Sequence, residues 1–64
     1  MSFTVVWLKG PLVIGSKSFE ELAVATDHAE DQLDQMQSRF GSTAVKVVDD
    51  DGSPHYLKSL SRNG

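Results

Sequence analysis

"VVDDDGSPHY" (Val47–Tyr56) decides whether this chain closes in a metal-binding loop or in a β-hairpin, and the two choices lead to different folds. A calcium loop of the helix-loop-helix kind needs D-x-D-x-D-G with a glutamate at position twelve. With Gly52 at position six, Asp49 falls at three and Asp51 at five, but Val47 falls at one and Lys58 at twelve. Both end ligands fail, and a cation stands where the bidentate carboxylate belongs. A turn explains the same residues better, because aspartate hydrogen-bonds its own backbone and glycine accepts a positive φ.

Two turn registers are open. A two-residue loop, Asp51-Gly52, sets Val45 and Val47 on one face with Tyr56 and Lys58. A three-residue loop, Asp50-Asp51-Gly52 with Gly52 in a bulge, sets them with His55 and Leu57. The second gives the more apolar inner face and is preferred; both leave Pro54 at a site that donates no hydrogen bond.

The flanks of the turn then read as strands: "TAVKVV" at 43–48 and "PHYLKSL" at 54–60. Upstream lies a helical stripe, Phe19, Leu22, Thr26, Ala29, Leu33, Met36 and Phe40, stepping 3, 4, 3, 4, 3, 4. Ser18 with Glu21 makes a capping box, and Gly41 suits a left-handed C-terminal cap. The pattern predicts a helix over about 19–39. Its small middle residues, Ala23, Thr26 and Ala29, would let the axis lie close to a sheet. The same repeat suits a coiled coil, but three heptads with Thr and Ala in the seam are too few and too poorly filled. Further upstream, "FTVVWL" at 3–8 is β-branched and aromatic. Lys9-Gly10-Pro11 reverses the chain, and "LVI" at 12–14 forms a second, shorter strand that Gly15 and Ser16 end.

The order is β-β-α-β-β. Strand directions place strand three beside strand one, which predicts an α+β two-layer sandwich: an all-antiparallel four-stranded sheet in order 2-1-3-4 with one helix on one face. A single domain fills 1–60, and the polar "SRNG" at 61–64 is expected to fray.

At 64 residues the chain is one small domain, a size at which only about 60% of the unfolded surface is buried. Such folds draw support from disulfides, metals or oligomerisation. With no cysteine, disulfides and Cys-based zinc sites are excluded, which leaves self-association. The net charge of −3 argues against nucleic acid. No apolar run approaches the roughly 20 residues of a membrane span, and no signal-peptide pattern is seen. A cytoplasmic location is the expectation.

Glu20, Asp27, Glu30, Asp31 and Asp34 fall on one flank of the helical stripe. They read as a solvated, mutually repelling surface rather than as a docking or cation site. His28, opposite the stripe, should be exposed. His55 should be half-buried beside Leu57, able to act as a base only if a carboxylate orients it. Neither accompanies a nucleophile in a recognisable context. No catalytic, cofactor or metal site is expected, and no enzymatic activity.

The sheet face away from the helix is the surface in need of a partner. It should carry Lys46, Val48, Tyr56 and Lys58 from the second hairpin and, from strand one, either Phe3, Val5 and Trp7 or Thr4, Val6 and Leu8. Trp7 is the strand-one candidate for an aromatic-aliphatic patch edged by lysines, and apolar patches of this kind mark interfaces. "SFEELA" at Ser18–Ala23 and "VKVVDDDG" at Val45–Gly52 give the chain, over most of its length, a resemblance to short uncharacterised bacterial proteins. Those proteins have a hairpin, an S-x-E-E-A-like helix start and a closing V-x-D-x-D-G hairpin. The resemblance implies a ββαββ fold and no activity. "SFEEL" is also faintly similar to the helix start in the N-terminal domain of ribonuclease-H-like antitoxins. That family usually adds a third strand before the helix and a separate DNA-binding part, which this sequence does not show. The expected function is that of a small non-enzymatic protein-interaction module, a homodimer through the exposed sheet face. The alternative is a nucleic-acid-binding domain using the aromatic and lysine residues of that face.

Overall fold

A computed structural model describes residues 2–59. Strand β1 (Phe3–Lys9) is followed by β2 (Leu12–Phe19), helix α1 (Leu22–Phe40), β3 (Ala44–Val48) and β4 (Pro54–Ser59). The strands form one antiparallel sheet in the order β2-β1-β3-β4, with the helix as a second layer, as the pattern of runs and turns predicts. The tail at 61–64 lies outside the described residues.

Val5, Val45 and Val47 are fully buried, and Trp7 is 4% exposed. Alternation along β1 and β3 places all four on the face beneath α1. The helix meets them with Ala25 and Ala29, both fully buried. Two alanines one turn apart let the helix axis come down onto the sheet. Leu22, Leu33 and Met36 pack around this contact. Fully burying each valine contributes about 1.5–3 kcal/mol. Thr26 also lies in the seam, and its hydroxyl donates back to the Leu22 carbonyl at 2.9 Å, so it leaves no unsatisfied polar atom there.

Two expectations are corrected at the second strand. It does not stop at Gly15 but continues to Phe19, with Ser16, Lys17 and Ser18 opposite Val6, Val5 and Thr4. The Ser18 hydroxyl therefore caps no helix; it lies 3.1 Å from the Thr4 hydroxyl across the ladder. The helix starts at Leu22, three residues after the expected start at Phe19, with Glu21 at the cap position and no side-chain cap bond. The reason is competition. Ser18 and Glu21 offer the backbone a capping box, but continuing the strand pairs Ser18 and Phe19 along β1 instead.

The C-terminal cap is as expected. Gly41 has φ 70°. Its N–H donates to the Gln37 carbonyl at 3.1 Å, the bond of an αL cap, and Ser42 N–H donates to the Met36 carbonyl at 3.2 Å. Ser42 is buried, and its hydroxyl is 2.9 Å from the Leu8 carbonyl and 3.1 Å from that of Ala44. These bonds tie the helix exit to the central strands. Phe40, the last residue of the predicted stripe, is 56% exposed, so the stripe overruns the sheet by one turn.

Candidate functional site

The closing turn is a three-residue loop, as preferred. Gly52 N–H donates to the Asp49 carbonyl at 3.0 Å, Asp49 N–H to the Ser53 carbonyl at 3.0 Å, and Gly52 has φ 84°. The Asp49 carboxylate works as a turn organiser rather than a metal ligand. Oδ1 accepts the N–H of Asp51 at 2.9 Å and of Ser53 at 3.0 Å. Oδ2 lies 2.8 Å from His55 Nε2. The bond to His55, then the bond from Ser53, hold the Asp49 carboxyl below its ordinary pKa. Asp50 accepts both the backbone N–H and the hydroxyl of Ser2, tying the turn to the start of β1. Those bonds lower its pKa too.

A second irregularity follows that the turn does not predict. Val48 pairs with Pro54, but Val47 pairs with Tyr56, so His55 is an extra residue in β4. Without this bulge, Val47 would face His55 and Val45 would face Leu57. With it, Val47 faces Tyr56 and Val45 faces Lys58. The imidazole, freed from the ladder, turns to Asp49 and meets the Phe3 ring edge-on with centroids 5.5 Å apart. His55 is thus exposed beside a carboxylate, not half-buried beside Leu57.

The five residues expected on the open face are divided: the bulge turns Tyr56 and Lys58 inward, and pairing with Val45 turns Trp7 inward. Trp7 is buried under the helix, with Gly15 and Val45 as its cross-strand neighbours. Tyr56 and Lys58 share that inner side through their pairing with Val47 and Val45. Burial raises the Tyr56 hydroxyl above its ordinary pKa, and the charge of Glu30 and a hydrogen bond to it add to the rise. Only Lys46 and Val48 lie on the outer face. There Lys46 stands between Val6 on β1 and Leu57 on β4, and Val48 stands between Thr4 and Pro54. The aromatic and lysine platform expected for single-stranded nucleic acid is therefore split across the two sides of the sheet.

What the outer face does hold is an aliphatic cluster bordered by Thr4, Ser16, Ser18 and Ser59. Val13 pairs with Leu8, which pairs with Ala44, forming one row; Val6, Lys46 and Leu57 form the next. Val13 is 63% and Leu57 68% exposed. Leu57, missed by the sequence reading, takes the place assigned to Tyr56; the only signal for it was the rejected pairing.

Both sheet edges, by contrast, are guarded. Strand β2 carries a bulge beside Gly15 and an inner-side Lys17 opposite Val5. Strand β4 opens on Pro54, bulges at His55 and places Lys58 opposite Val45. Bulges, prolines and inward lysines are the usual means of blocking edge-on pairing.

The helix surface is acidic. Asp27, Glu30, Asp31 and Asp34 are exposed on α1, while Glu20 precedes the helix and is not part of that flank. His28, expected to be fully exposed, is half-buried against the Phe19 ring, with centroids 4.9 Å apart. The strand extension to Phe19 put that ring there. A shallow, open depression runs between Phe19, Val24 and His28 and the carboxylates of Asp27, Glu30 and Asp31. Among the described residues no group of three metal-binding side chains converges, and no helix is long and apolar enough to cross a membrane.

No known protein family, curated protein or solved structure matches this chain significantly. The reading of the site rests on the chain's own residues.

Proposed function

We propose that this chain is a small non-enzymatic protein-interaction module whose working surface is the sheet face away from α1. The observation that carries this reading is the exposure of Val13 and Leu57 on a sheet whose other face is packed and whose two edges are blocked. Val13 and Leu57 lie on the two edge strands with Leu8, Val6 and Ala44 between them, and an exposed apolar patch of this kind marks a contact site. The occupant is another protein surface: a second copy, giving a homodimer, or a different chain. A cytoplasmic setting goes with this reading, and a cysteine-free composition suits it.

The test is a photo-crosslinking amino acid placed at Leu57, on the outer face, and separately at Asp34, on the helix surface, in the native host. A discrete adduct from position 57 and none from position 34 supports the reading. An adduct of twice the chain mass identifies a second copy, and any other mass a different protein. No adduct from position 57 sinks it.

A further inference from the structure

We infer that the outer sheet face takes an acidic amphipathic helix from a partner protein. The inference rests on the interaction reading above and names its occupant. Two observations lead to it. The first is charge. Lys46 sits near the middle of the face, between Val6 and Leu57, and none of the strand residues beside it on that face is Asp or Glu. Among the described residues its ammonium group has no ion-pair or hydrogen-bond partner. An occupant that covers this face must leave a cation dry or bring a carboxylate to it, and an unpaired buried charge is strongly unfavourable. A second copy packed face to face brings another Lys46 and no carboxylate. A partner with one acidic residue inside an apolar stripe meets both demands.

The second observation is size. The face offers about a dozen side chains, whereas a standard protein interface uses roughly 20–30 residues a side. Sheet-on-sheet self-pairing would sit at the weak end of specific contacts. A single helix is the right size. The same sheet shows this on its inner side, where α1 alone packs across β1, β2 and β3. A helix on the outer side would make the sheet the middle of three layers, with its stripe at i, i+3, i+4 and i+7 on the Leu8, Val13, Val6 and Leu57 rows. Its carboxylate would reach Lys46, fixing register and orientation more than adding affinity.

The probe is a capped peptide of about 18 residues, long enough to be helical, with a leucine stripe carrying one Glu at its centre. Versions with Gln and Lys at that position serve as comparisons. Each is titrated into isotope-labelled protein, and the backbone amide shifts are followed. The Glu peptide is expected to move the amides of Val6, Leu8, Lys46 and Leu57, with the Lys peptide at least about tenfold weaker, because like charge is then buried against Lys46. Lys46→Glu should reverse that order. Lys46→Met keeps the stem and removes the charge, so it should abolish the order while retaining binding; it also keeps the test informative if the Glu variant folds poorly. Outer-face shifts that ignore the peptide's charge overturn the acidic helix but leave the interaction module standing. Shifts that avoid the outer face, together with no crosslink from position 57, overturn both. A dimer formed through this face at micromolar concentration also overturns the inference, since a second copy is then the occupant.

Discussion

His55 Nε2 lies 2.8 Å from Asp49 Oδ2, and because a carboxylate only accepts, the proton sits on that nitrogen. Asp49 also accepts two backbone N–H groups with its other oxygen, so one side chain closes both the turn and the bulge beside it. Asp49→Ala should lower the melting temperature clearly, and Asp51→Ala, whose carboxylate makes no such bonds, should hardly change it. The pH dependence has a definite sign. The folded-state pKa of Asp49 is depressed below 3.8, so its contribution is complete above the unfolded value and is lost as pH falls through the folded one. Urea midpoints measured from neutral pH down through this acid range should drop less steeply in Asp49→Asn than in the native chain. Equal slopes would show that Asp49 does not organise the turn.

Deleting His55 should be tolerated. The bulge consists of that one residue, and without it Tyr56 follows Pro54 directly and still falls opposite Val47. The deletion loses the contacts to Asp49 and Phe3 but keeps every other side chain of β4 on its present face. Inserting one alanine after His55 is the opposite case. It either keeps the bulge and drives Tyr56 outward and Leu57 inward, or removes the bulge and shifts Tyr56 from Val47 to Val45, and should cost more than the deletion. Amide exchange and cross-strand NOEs from Val47 read the outcome directly; a deletion that unfolds the chain while the insertion folds would overturn this account of the register.

The order of elements and of strands was legible because each rests on local chemistry that nothing opposes: Gly10-Pro11, Asp50-Asp51-Gly52, Gly41 and the runs between them. The helix start was not legible. "SKSFEE" satisfies both a capping box and a polar edge strand, and only the presence of β1 alongside selects the strand. The identity of the open face was not legible either. It depends on a one-residue bulge at His55 that is stabilised by a side chain six residues earlier, a relationship with no sequence pattern of its own. That single residue is why Tyr56 lies on the helix side while Leu57 faces out; Trp7 lies on the helix side because β1 pairs it with the buried Val45.

Trp7 should behave as a core residue. At 4% exposure its emission should be blue-shifted and poorly quenched by acrylamide, returning to a solvated spectrum on unfolding. Trp7→Ala should cost about 3–5 kcal/mol, enough to unfold a domain of this size under most conditions. Trp7→Phe should remain folded with reduced stability. A native spectrum that is red-shifted and fully quenchable would put the indole back on the open face.

Gly41 should resist substitution. Its φ of 70° is unfavourable for any residue with a Cβ, while the nearest neighbour of an added Cβ, the flexible Lys9 side chain at 3.4 Å, can move aside. Gly41→Ala should cost about 1 kcal/mol or somewhat more. Ser42→Ala, which strips the buried hydroxyl from the Leu8 and Ala44 carbonyls, should cost a further ~1 kcal/mol, because the Leu8 carbonyl keeps the Thr43 N–H at 2.7 Å. The two sites adjoin, so the double variant is expected to fall short of additivity. Denaturant midpoints at constant slope test both.

Tyr56 supplies an alkaline counterpart to Asp49. Burial and the neighbouring Glu30 carboxylate raise its hydroxyl pKa above 10.0. A raised pKa means that the folded state holds the proton more tightly than the unfolded state. The resulting stability is fully present below the unfolded value and is lost as pH rises through the folded one. Ultraviolet titration should therefore give a phenolate midpoint above that of free tyrosine, and Glu30→Gln should bring it partway back while leaving the contribution of burial. The same variant should leave crosslinking from position 57 unchanged, because Glu30 and Tyr56 belong to the helix side of the sheet. A normal midpoint in the native chain would mean that the phenol faces solvent, and the pairing of Tyr56 with Val47 would have to be abandoned.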